Sequence, residues 1–129
     1  MASNASVQRF RALANDLKQE VLNGAIDELN NQADSLVTLI ESVAPRGATG
    51  ELEHSIRKIP GSSPTQVRVM AGDPATLKDG YQYPRAVEFG TVHMAAEPFF
   101  FPSYRLLKKQ MISAMKRKIT AAIKKRSAQ

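Results

Sequence analysis

Apolar residues mostly three or four apart run through the first third of the chain, at Val7, Phe10, Leu13, Leu17, Val21, Ala25, Leu29, Leu36, Ile40 and Val43. With Ala14, Ile26, Ala33 and Val37 they make one stripe on a helix over residues 7–43. At a rise of about 1.5 Å per residue such a helix reaches about 54 Å. A chain of 129 residues has the size of one ordinary domain. A rod that long is more than its core needs, so the sequence predicts a kink or a protruding end. Asn23-Gly24 is the weak point, since glycine inside a helix costs about 1 kcal/mol relative to alanine. Pro45 disfavours helical geometry at Ala44 and ends the segment.

Between Pro45 and Pro102 short apolar runs alternate with glycine and proline, the pattern of strands joined by turns. Three candidate strands follow. Residues 51–59 carry Leu52 and Ile56 on one face, residues 66–71 carry Val67 and Val69, and residues 85–89 carry the β formers Val87 and Phe89. Pro60-Gly61-Ser62-Ser63-Pro64 reads as the hairpin connection between the first two. Residues 72–83, with Asp73-Pro74 and Asp79-Gly80, read as a loop long enough to move or to touch a partner.

Pro102 suits the first turn of a helix, and no breaker follows it as far as Arg126. Leu107, Met111, Ala114, Met115, Ile119, Ala122 and Ile123 give this helix an apolar stripe. The expected fold class is therefore α+β: a long N-terminal helix over 7–43, a small antiparallel β-sheet of about three to four strands within 51–91, and a long C-terminal helix over 102–126 packed on the sheet. The expected core is Leu52, Ile56, Val67, Val69, Val87, Phe89, Phe99, Leu107, Met111 and Ile119.

Charge is unevenly placed. Residues 1–97 hold nine Lys or Arg against twelve acids, whereas residues 98–129 hold nine bases and no acid. Lys108, Lys109, Lys116, Arg117, Lys118, Lys124, Lys125 and Arg126 thus form a basic surface on the last helix. Such polarity suits a negative partner, or neighbouring copies that attract end to end. The aromatics Phe99, Phe100, Phe101 and Tyr104 gather at the helix start instead of interleaving with the cations, which favours a core or interface anchor over base stacking. Contact between the basic helix and phosphates stays open.

Enzymatic signatures are sparse. The chain lacks cysteine and has two histidines, His54 and His93, so thiolate chemistry and cysteine-ligated zinc are excluded. It carries no phosphate-binding glycine loop, nucleophile elbow or HExxH pattern. His54 shares strand parity with Leu52 and Ile56, and reads as partly buried or interfacial. A hydrolase or nuclease built on His54 or His93 lacks a coherent acid, base and metal set. Gly47-Ala48-Thr49-Gly50 matches the GxxG backbone clamp only superficially and reads as a turn out of the first helix. No catalytic, cofactor or metal residues are assigned. No run of apolar residues is long enough to span a membrane, and the first residues do not form a secretion signal.

The most distinctive stretch is Tyr83-Pro84-Arg85-Ala86-Val87-Glu88-Phe89-Gly90-Thr91, followed by Ala95-Ala96-Glu97-Pro98-Phe99-Phe100-Phe101-Pro102. It is either a structural hinge that plugs the last helix onto the sheet, or an aromatic platform with Glu88 beside a bend, suited to docking another subunit. Tyr81, Tyr83, Glu88, Phe89, Gly90, Thr91, Phe99, Phe100 and Phe101 are the candidate interface and hinge residues.

This combination resembles the tail-completion, or head–tail connector, proteins of long-tailed bacteriophages. The likeness lies in three elements in order: Thr49-Gly50-Glu51-Leu52-Glu53-His54-Ser55-Ile56, the 83–91 segment of the form Tyr-x-x-x-Val-Glu-Phe-Gly-Thr, and a Pro-Phe-x-x-Pro segment at 98–102 opening a charged helix. It extends over residues 44–126, and to the first helix only by type. The acidic Glu51, Glu53 and His54 stand where relatives often carry basic or polar residues. The resemblance implies a non-enzymatic virion protein without cofactor, assembled in the host cytoplasm and placed at the neck between head and tail. It implies a cyclic homo-oligomer, a hexamer or dodecamer, in contact with neighbouring neck and tail-tube or tail-terminator proteins, with non-specific contact with genomic DNA left open and no membrane partner. The alternative is a small basic DNA-binding module.

Overall fold

The computed structural model describes residues 4–45, 50–78 and 80–127, with side chains through Lys125. The Gly47-Ala48-Thr49 part of the first turn, Asp79 and the side chain of Arg126 lie outside the described residues. The fold is α+β, with helix α1 (Asn4–Val43), a short helix α2 (Glu51–His54), strands β1 (Arg57–Pro60) and β2 (Val67–Met70), and a 3₁₀ turn at Pro74–Thr76. Strands β3 (Leu77–Lys78) and β4 (Tyr81–Gln82), helix α3 (Tyr83–Phe89) and helix α4 (Phe100–Ser127) complete it.

The two long helices run antiparallel and form the body. Ile40 packs in one buried cluster with Phe99, just before the start of α4, while Gly24 faces Lys118 near its end. α1 passes through Asn23-Gly24 without a break, so of the two outcomes expected for so long a rod the protruding end is the one realised. Gly24 lies 20 residues from the start of α1 and Lys118 only nine from the end of α4. At about 1.5 Å per residue, α1 overhangs α4 by about 16 Å.

β1 and β2 pair as an antiparallel hairpin in the register Arg57↔Met70 to Pro60↔Val67. Its turn needs Gly61, because a Cβ there would lie 2.6 Å from the Gln66 carbonyl oxygen. Half-buried Val67 and Val69 alternate with exposed Arg68 and Met70, so β2 turns its valines inward while Lys58 bonds Asp34 of α1 at 2.8 Å. β3 and β4 form a second, separate two-stranded sheet. The strands number four, but they make two hairpins instead of one sheet. The last helix lies chiefly along α1, with the β1–β2 hairpin packed beside it on the same rod.

Two of the candidate strands take other forms. Residues 51–54 are helical, starting from Gly50 in the left-handed region at φ 68°, and only the end of the 51–59 segment is strand. Leu52 and Ile56 are four apart, a spacing that satisfies one face of a strand and one face of a helix equally, so the pattern could not choose. Residues 85–89 belong to α3. Pro84 sits in its first turn, where a missing N–H costs nothing; Pro84, Ala86, Val87 and Glu88 are buried, and Pro84, Val87 and Glu88 fall at the three-and-four spacing of one helix face. Helical rotation carries Phe89 out of the core to 64% exposure.

The buried cluster is Leu36, Ile40, Ala44, Leu52, Ile56, Val87 and Phe99, with Val69, Leu107 and Met111 packed against it. Val67 and Ile119 are half-buried. The described residues of the 72–82 segment are tied down. The buried Thr76 hydroxyl lies 2.6 Å from Gln82 Oε1, Asp73 caps the 3₁₀ turn, and Gly72 N–H donates to the buried Ser55 hydroxyl at 3.0 Å. Arg57 donates to the carbonyls of both Ser55 and Gly72.

Candidate docking surface

The start of α4 has no side chain of its own that can cap it: Pro98 and Phe99 precede it, and neither offers an acceptor. A helix start leaves backbone N–H groups without intrahelical partners. Glu88, on α3, supplies them. Its Oε2 accepts from Phe99 N–H at 2.8 Å and Phe100 N–H at 2.9 Å, and its Oε1 accepts from Phe101 N–H at 3.1 Å. The next residue is Pro102, which has no N–H, so one carboxylate serves every donor from residue 99 to 102. Glu88 is 6% exposed. Burying a charge is costly unless it is hydrogen-bonded, and three charge-assisted bonds at the positive end of a helix dipole meet that condition.

The chain between Glu88 and α4 is held just as closely. Gly90 closes α3 through its N–H to the Ala86 carbonyl at 2.7 Å, at φ 78° and ψ 169°, where a Cβ would sit 2.9 Å from the Ala96 nitrogen. Thr91 and Met94 bridge through paired backbone bonds, which throws Val92 into solvent at 97% exposure. Glu97 N–H then returns to the Val87 carbonyl at 2.7 Å. The 83–91 and 98–102 elements are thus one built unit.

The structure divides the candidate interface residues. Glu88 and Phe99 are internal: Glu88 is the cap, and Phe99, at 2% exposure, is the buried ring that anchors α4 to Ile40 and Val87. Gly90 is a fixed bend. Tyr83 and Phe100 are half-buried against the core. Outward remain Tyr81, Phe89, Thr91 and Phe101. Phe89 and Phe101 lie 6.0 Å apart between ring centroids, and Phe101 meets Phe100 edge to face at 5.4 Å. With Arg85 these rings border a cleft of about 290 Å3, while Tyr81, Tyr83, Thr91, Val92 and His93 border a second of about 490 Å3.

The basic residues do not form a single stripe. Lys108, Lys109, Lys116, Arg117, Lys118, Lys124 and Lys125 are all exposed, and among the described residues none of them is in an ion pair. Lys109 and Lys116 share one helical face, Arg117 and Lys124 the next, and Lys118 and Lys125 another, by their sevenfold spacing. Lys118 lies against Gly24 of α1. His54 is exposed at the end of α2, not in a strand, and His93 is exposed on the turn after α3. Among the described residues no three His, Asp or Glu side chains converge as metal ligands, and no helix is long and apolar enough to cross a membrane.

The sequence pattern left one feature unannounced, an apolar groove of about 430 Å3 floored by Leu29, Ala33 and Leu36 of α1 and walled by β2 and α4. Its signal lies in Met111, Met115 and Ile119 of the apolar stripe on the last helix, of which only Met111 and Ile119 are expected in the core. Compared with known proteins, the chain matches no protein-family model, no curated protein and no solved structure.

Proposed function

We propose that this chain is a structural virion protein that assembles as a ring at the neck of a long-tailed bacteriophage and joins the tail tube to the DNA-filled head. The observation that carries the proposal is the Glu88 cap. Two of the three elements that resemble the connector family are wired to each other by it, so the likeness falls on a physical unit and not on scattered residues. That unit holds a rigid apolar edge, Phe89, Phe101 and Val92, in solvent, as a docking surface requires.

The ring joins copies head to tail, the net-negative α1 side of one facing the basic α4 of the next. Heterologous contacts of this kind close into a cycle when the rotation allows. The basic helix docks on an acidic neighbouring protein, since a passage for moving DNA should not hold phosphates tightly. The test is infection by particles that carry Lys116→Glu, Arg117→Glu and Lys118→Glu together. Heads and tails that accumulate unjoined are the expected result, and normal particles would overturn the charge-mediated contact.

Eight exposed cations of α4, Arg105 among them, have no ion-pair partner among the described residues and favour one second reading, a small DNA-binding module. It requires that the isolated chain be retained on duplex DNA at low salt and released as salt rises.

A further inference from the structure

The apolar groove between α1, β2 and α4 has a border of one sign. Lys108 and Lys116, both on α4, are its charged residues, and no acid lines it. Along its outer lip Arg105, Lys109, Ile112 and Lys116 follow one another at steps of four, three and four residues, so they share one exposed face of α4. Ile112 and Lys116 of that row line the groove itself, which sets the whole row along its edge. Among the described residues Arg105, Lys108, Lys109 and Lys116 are in no ion pair. The carboxylates that flank the floor on α1 are engaged elsewhere: Glu28 accepts from Gln32 at 2.8 Å, and Asp34 pairs with Lys58 at 2.8 Å.

We infer that this groove receives an amphipathic helix of a neighbouring protein, its apolar face inward and a row of Asp or Glu against the α4 lip. This deepens the proposed docking of α4 on an acidic neighbour, on which it rests, by giving the contact a place and the partner a form.

A helix laid in an apolar groove, with anchors at i, i+3, i+4 and i+7, is a general recognition mode. The wall from Tyr104 to Ile119 runs about 22 Å, the length of about 15 helical residues. Met111 and Met115 lie in it, and unbranched thioether side chains adapt to the anchors of a partner. The cations are spread along the groove: Arg105 to Lys116 spans about 16 Å, which carboxylates repeated on successive turns of a helix complement. An acyl chain brings one head group and would leave most of that row unpaired. Duplex DNA matches the cations but not the groove, since phosphates gain nothing from Leu29, Leu36 and Met115.

The test pans a displayed library of random peptides about 15 residues long against the full chain. Selected peptides should carry apolar residues at helical spacing and an excess of Asp and Glu along one flank. The tightest of them, made synthetically, should gain helical circular dichroism on binding. Ile112→Ser should weaken its binding about tenfold. Arg105→Glu with Lys109→Glu should weaken it as well, and a copy of the peptide with lysine in place of its acids should prefer that variant to the unaltered chain. All three substituted residues are exposed, so the variants keep their fold, which circular dichroism melting verifies.

A library that yields no binder, selected peptides without an acidic flank, or binding that survives Ile112→Ser would overturn the inference. Oleate held by the unaltered chain and lost in Ile112→Ser, with no peptide selected, would replace it by a lipid site. Light scattering keeps this contact apart from the ring. A ring that selects no acidic helix would remove the contact and leave the neck proposal standing. A chain that gains mass only with DNA at low salt, yet selects acidic helices, would remove the neck proposal and leave the groove as a helix-binding site.

Discussion

The two ends of α1 are made from the same kinds of residue and meet opposite fates. Near its C-terminal end Leu36 and Ile40 are buried, Ile40 completely, among Leu52, Ile56, Val87 and Phe99. Near its N-terminal end Val7, Phe10 and Leu13 continue the same stripe and are bare. Apolar periodicity therefore specifies which face of a helix wants cover, and the length of the neighbouring helix decides whether its own chain provides it. What holds the covered end is a set of polar bonds, above all those of Glu88, that fix where α4 begins.

Breaking the covered end should have the largest effects. Glu88→Ala strands three backbone donors, one of them buried, and should destabilise the fold by about 3–5 kcal/mol, measured by urea unfolding. Glu88→Gln keeps an acceptor but loses the charge that the helix dipole favours, and should cost about 1–2 kcal/mol. If Glu88→Gln were as stable as the unaltered chain, the charge would have no part in the cap. Phe99→Ala removes a ring that is 2% exposed and should cost about 3–5 kcal/mol. An unchanged melting temperature there would mean that Phe99 does not anchor α4.

Smaller changes sharpen the contrast. Gly90→Ala forces a Cβ against the Ala96 nitrogen in a backbone region reserved for glycine, and should destabilise by about 1–3 kcal/mol. Gly24→Ala should act in the other direction. A Cβ at that position would meet Lys118 Cε at 3.7 Å, an ordinary contact, so the gain in helix propensity should raise stability by about 0.5–1 kcal/mol. Phe10→Ala, at the bare end, should change the stability of the isolated chain by less than about 0.5 kcal/mol. A large loss there would mean that the overhang is already covered within its own molecule.

The helices were legible because their signal is long: the expected 7–43 and 102–126 correspond to Asn4–Val43 and Phe100–Ser127. The middle was less so, because its elements are short enough for Leu52 and Ile56 to fit two periods at once. Phe89 was placed in the core on the strength of β propensity, and a single helical turn reverses that. The role of Glu88 depends on a contact across eleven residues that no local capping pattern announces. A faint trace was there, in an acid flanked by Val87 and Phe89 ahead of a helix start with no acceptor of its own. Exposure of the Val7, Phe10 and Leu13 stripe could not be read either, since the stripe is the same whether covered or bare.

The most direct measurement is the mass of the unaltered chain by light scattering, at low and moderate salt, with and without duplex DNA. The ring account predicts one discrete species whose mass is a whole multiple of 14.2 kDa and does not change when DNA is added. A monomer that gains mass only with DNA at low salt would contradict it and make α4 a DNA-binding helix.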